Sequence, residues 1–107
     1  MFVLNKDVPM EKLEPGLKRQ ILGYQSDLMV VRVYFEKGTV AAPHSHPHQQ
    51  IAVVEKGCFK VVLDGEIKVL QVGDCFVVPP DVEHGVTALV DGILIDTFSP
   101  ARQDFLS

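Results

Sequence analysis

The strongest constraint on this chain is its punctuation. Glycine and proline recur at short intervals, and the runs between them are short and β-branched, which suits strands and not helices. "DLMVVRVYFEKG" (27–38) is rich in Val, Tyr and Phe and closes on Gly38, while "QIAVVEKG" (50–57) and "CFKVVLDG" (58–65) each run into a glycine. In "LDGEI", Asp64-Gly65 has the composition of a tight hairpin turn. "EIKVLQVGD", "CFVVPP", "HGVTALV" and "GILIDTF" continue the series. Only "MEKLEPGLKRQ" is charged densely enough for a helical turn, and Pro15-Gly16 interrupts it, so almost no helix is expected. Roughly six to eight short strands, several of them apolar on both faces, describe an all-β sandwich or barrel.

A length of 107 residues fits one domain, 1–107, with its barrel core at about residues 27–98. The 47% apolar content excludes disorder and exceeds what one small barrel can bury, so a homodimer is expected. A net charge of -4, with no basic block, argues against a nucleic-acid partner. The opening "MFVLNKDVPM" breaks its apolar run with Lys6 and Asp7, and no later run approaches membrane-spanning length. The expectation is a cytoplasmic protein with no membrane partner. Cys58 and Cys75 lie in apolar runs and read as buried, reduced thiols.

Three of the four histidines crowd into "AAPHSHPHQQ". In an extended chain His44, His46 and Gln50 share a parity and can face one cavity, while Pro47 forces a loop or bulge between them. The fourth, His84, follows a double proline in "VVPPDVEHGV", a rigid lead that aims a side chain. Three neutral imidazoles and one amide carbonyl suit a divalent transition metal: zinc, nickel, manganese or iron. His48 either lines the pocket mouth or is a solvated loop residue. Lys18, Arg19 and Arg32 are open between pocket and surface.

The spacing carries a resemblance. Gly38, five residues, His44, one residue, His46, three residues, Gln50, six residues and Gly57 resemble the first cupin motif, with glutamine where most members have glutamate. Gly73, five residues, Pro79, four residues and His84 resemble the second. Asp81 stands where that motif usually has glycine, and Ala88 where it usually has asparagine. The resemblance implies a double-stranded β-helix, or jelly-roll barrel, with one metal per chain bound by His44, His46, Gln50 and His84.

"HSHPHQQ", "VPPDVEHG" and the ending "LIDTFSPARQDFL" are similar to the small single-domain cupins of pectin and alginate breakdown, the KdgF family, over residue 17 to the C-terminus. Members of that family share the glutamine. The resemblance implies a small-molecule uronate substrate, a 4,5-unsaturated monouronate converted to linear 5-keto-4-deoxyuronate by ring opening. It also implies that Asp96 is needed for turnover and that Arg102 lies at the active site.

In "GILIDTF", Leu94, Asp96 and Phe98 share one face, so Asp96 is a carboxylate among apolar neighbours, where desolvation raises its pKa. It is either a proton carrier or the partner of a structural ion pair with Arg102 or Arg32. The alternatives to a uronate enzyme are another metal-dependent cupin, a sugar isomerase or iron dioxygenase, and a non-enzymatic sugar-binding cupin.

Overall fold

A computed structural model describes all of residues 1–107. Ten strands follow one another: β1 (Glu11–Glu14), β2 (Leu17–Gln25), β3 (Leu28–Phe35), β4 (Val40–His44), β5 (Gln49–Lys56), β6 (Cys58–Leu63), β7 (Glu66–Gln71), β8 (Cys75–Val78), β9 (His84–Ala88) and β10 (Gly92–Ser99). They exceed the expected number because β1 and β2 form an additional hairpin. The charged stretch, dense enough for a helical turn but interrupted by Pro15-Gly16, lies in that hairpin, with Pro15-Gly16 as its bend. Helix is confined to a 3-10 turn at Asn5–Asp7 and to α1 (Gln103–Leu106). The local charge pattern was outweighed by β2's pairing along the whole of β3, which supplies backbone partners that an isolated helical turn lacks.

The strands form two antiparallel sheets, of order β1-β2-β3-β10-β5-β8 and β4-β9-β6-β7, the double-layered barrel expected from the sequence. Alternation sets the core. On β10, Gly92, Leu94, Asp96 and Phe98 face inward, and on β5 Gln50, Ala52 and Val54 do so. Ten buried residues, among them Phe35, Val54, Phe59, Val61, Val86 and Leu94, form the main core. A second cluster of Met29, Val31, Phe98 and Ala101 packs the C-terminal segment onto β3. The β6–β7 turn has positive φ at both Asp64 (49°) and Gly65 (80°), as a two-residue hairpin requires.

Both cysteines are free, but neither is buried: Cys58 is partly covered and Cys75 is exposed. Cys75 falls with Val77 on the outward phase of β8, alternating with inward Phe76 and Val78, so an apolar neighbourhood in sequence did not become burial in space.

Candidate metal centre

β4 and β9 pair so that His44 and His84 stand directly opposite one another. This approach depends on Gly85, where a side chain's first carbon would sit 2.9 Å from the Pro43 nitrogen. After His44 the chain leaves the strand through Pro47 and re-enters at Gln49, the loop expected from that proline. Loop and second motif are tied together, because the Asp81 N–H donates to the His46 carbonyl at 2.8 Å. Asp81 takes a left-handed φ of 66°, so its departure from the usual glycine is a matter of turn geometry.

His44, His46 and His84 gather with ring nitrogens all within 4.8 Å of one another. Each Nδ1 lies against a backbone carbonyl: Ala42 at 3.1 Å, His48 at 3.0 Å and Val82 at 2.9 Å. A carbonyl can only accept, so each Nδ1 carries the proton and each Nε2 is left with a lone pair. The three lone pairs belong to one cluster, and His84 Nε2 is buried without any partner. Burial also holds His46 below the ordinary histidine range and pushes His84 down to about 4, so neither ring solves the problem by protonating.

Gln50 sharpens the case. Its Oε1 lies 2.9 Å from His46 Nε2, so two acceptors face each other with no proton between them. The amide's N–H side is turned toward Asp96, whose carboxyl it helps to hold down. Three neutral imidazoles, each oriented by a carbonyl, and one amide oxygen therefore fit a divalent cation better than they fit one another.

A cavity of about 180 Å³ is lined by His44, His84, Gln50, Asp96, Arg102 and Phe98 among others. Asp96 is buried and its Oδ1 has no partner. Burial pushes its carboxyl up to about 7, while hydrogen bonding from Gln50 and the charge of Arg102 pull it back down. No ion pair joins Asp96 to either arginine: Arg102 binds Asp104 at 2.9 Å and Arg32 binds Glu55 at 3.2 Å. The structural alternative for Asp96 is thereby removed in its simple form.

The structure thus gathers His44, His46, Gln50, His84, Asp96 and Arg102 into one region. His48 is half-buried beside it and contributes its carbonyl to His46. Lys18 is exposed, and Arg32 faces Glu55 away from the cavity. Arg19 packs its guanidinium 4.1 Å from the Phe105 ring centroid. Phe105 itself lines the cavity, which the sequence reading missed because nothing local says that the C-terminal turn folds back.

A family model for the cupin domain matches residues 31–95. The pectin degradation protein KdgF of Dickeya dadantii (strain 3937) is 45% identical over 98% of this chain and 97% of its own length. This chain belongs to the KdgF family of cupins. Among solved structures, KdgF from Halomonas sp. superposes with a TM-score of 0.94 at 43% identity, covering 98% of this cupin and 97% of that chain. An RmlC-like cupin from Shewanella frigidimarina matches with a TM-score of 0.94 at 49% identity, over 97% of this cupin and 94% of the other. No helix of this cupin is long and apolar enough to cross a membrane.

Proposed function

We propose that this cupin opens the ring of 4,5-unsaturated monouronates to give linear 5-keto-4-deoxyuronate, with one divalent transition metal held by His44, His46, Gln50 and His84. The observation that carries the reading is Asp96, a buried carboxyl without an ion-pair partner in the cavity that His44 and His84 of the three-histidine cluster line. Simple sugar binding has little use for a desolvated acid. The D. dadantii relative, named a pectin degradation protein, supports the substrate class.

When bound, the metal would supply a Lewis-acid charge, undiminished by the neutral Gln50, near the oxygen that turns negative as the ring opens. The chain's own residues account for the rest. Ring opening takes a proton from the anomeric hydroxyl as the bond from C1 to the ring oxygen breaks, and returns one to C4 as the enol at C5 becomes a ketone. Asp96, whose carboxyl burial pushes up to about 7 in the metal-free protein, is the group placed to accept the first proton and deliver the second. Arg102, only 12% exposed, offers a planar N–H edge for the substrate carboxylate against the overall negative charge of the protein. The cavity of about 180 Å³ suits a single sugar ring and not an oligosaccharide.

Incubation with unsaturated galacturonate tests the reading. Its ultraviolet absorbance is expected to fall faster than the spontaneous rate. No acceleration by the metal-loaded protein would refute the assignment.

We propose also that the protein is a homodimer. Ile51, Val53 and Val77 are exposed on the outer face of paired strands β5 and β8, and β8 is a sheet edge. Light scattering is expected to give twice the 11.8 kDa chain mass, and a monomer at micromolar concentration would contradict it.

A further inference from the structure

Arg102 is packed against two aromatic rings and paired with one carboxylate. Its guanidinium carbon lies 4.2 Å from the Phe105 ring centroid and 5.1 Å from that of Phe98. Its Nε donates to Asp104 Oδ1 at 3.1 Å and its Nη2 to Asp104 Oδ2 at 2.9 Å. These are its only hydrogen bonds within the protein, so Nη1 keeps its N–H groups without a protein acceptor. That guanidinium lines the cavity and is close enough for its charge to act on Asp96, His46 and His84. Asp104 itself is turned toward solvent, with 59% of its side chain exposed, so the engaged edge faces outward.

We propose that Asp104 is a positioning residue, which grips the outer edge of Arg102 and so presents its Nη1 to the carboxylate of a monoanionic sugar acid in the cavity. The inference rests on the uronate reading above. The aromatic rings pack against the guanidinium, and the two parallel bonds from Asp104 fix its rotation. Arg19, stacked at 4.1 Å on Phe105, holds the same turn from β2. An exposed ion pair is worth little as stability, which separates this role from a structural one.

The test is steady-state kinetics of Asp104→Ala and Asp104→Glu beside the wild-type protein, with unsaturated galacturonate and with its methyl ester, alongside melting temperatures. Asp104→Ala is expected to raise KM by roughly 3- to 10-fold with kcat within about twofold and no change in melting temperature. Asp104→Glu should recover part of the loss. On the methyl ester, which lacks the carboxylate charge, wild type and Asp104→Ala should be alike. An unchanged or lowered KM in Asp104→Ala overturns the proposal, as does an equal penalty on acid and ester or a fall in kcat that follows a lower melting temperature. If the wild-type protein itself fails to accelerate the reaction, the uronate reading has failed instead.

Discussion

Two hollows in this barrel differ in kind. The larger, of about 350 Å³, is lined by Val61, Leu63, Leu70, Phe76 and Val77, and its only charges, Glu66 and Lys68, are exposed and pair with each other at 3.5 Å. The smaller, of about 180 Å³, holds Gln50, His84 and Asp96, all buried, and two of them keep an atom without a partner. A buried polar group left unpaired costs free energy, so its presence needs a ligand or a reaction to account for it, whereas an apolar hollow needs neither. Chemistry is thus marked here by unsatisfied polarity and not by volume.

The largest way to break the contrast is to remove His84. His84→Ala is expected to abolish stable binding of zinc, nickel or manganese, read by elemental analysis, and with it measurable turnover. His48→Ala should retain about one metal per chain, because His48 lies outside the three-histidine cluster and its hydrogen bond to His46 comes from a backbone carbonyl that alanine keeps. Equal metal loss in the two variants would undo the ligand assignment.

Arg102→Ala should act next most strongly, raising KM by about 10- to 100-fold, as loss of a charged hydrogen-bonded partner does, with a smaller effect on kcat. A loss confined to kcat would mean that Arg102 serves the transition state and not the clamp.

Titration sharpens the comparison without substrate. In metal-free protein the Asp96 carboxyl, at about 7 against an ordinary 3.8, contributes stability present below pH 4 and lost as pH rises toward 7. His84, at about 4 against 6.5, contributes stability present above pH 6.5 and lost as pH falls to 4. The two oppose each other between those limits. Asp96→Asn removes one of them, so its melting temperature should climb more steeply than the wild type's from pH 4 to 6.5. Parallel curves would contradict the buried acid.

Much of this was legible in the chain. Alternation alone put Asp96 on the inward face of β10 with Leu94 and Phe98, and the spacing of the two motifs brought His44 and His84 to opposite positions across β4 and β9. What escaped was decided far away in sequence. "MEKLEPGLKRQ" became a hairpin because β3 was available to pair with β2, and Cys75 was exposed by the phase of β8. The stack of Arg19, Phe105 and Arg102 joins β2 to the C-terminal turn, a contact that no local pattern encodes.

The smallest effect is expected in the larger hollow. Leu70→Ala should lower stability by ~1–3 kcal/mol, since Leu70 is only partly buried, and leave metal content and kcat unchanged. A matching loss of turnover in folded protein would mean that the two hollows are coupled.

The central claim is that Asp96 moves protons, and the turnover of metal-loaded Asp96→Asn tests it most directly. The substitution keeps shape and hydrogen bonding while removing the ionisable group. A folded variant with its full metal content is expected to lose ~100-fold or more in kcat on unsaturated galacturonate. Wild-type turnover by that variant would contradict the account.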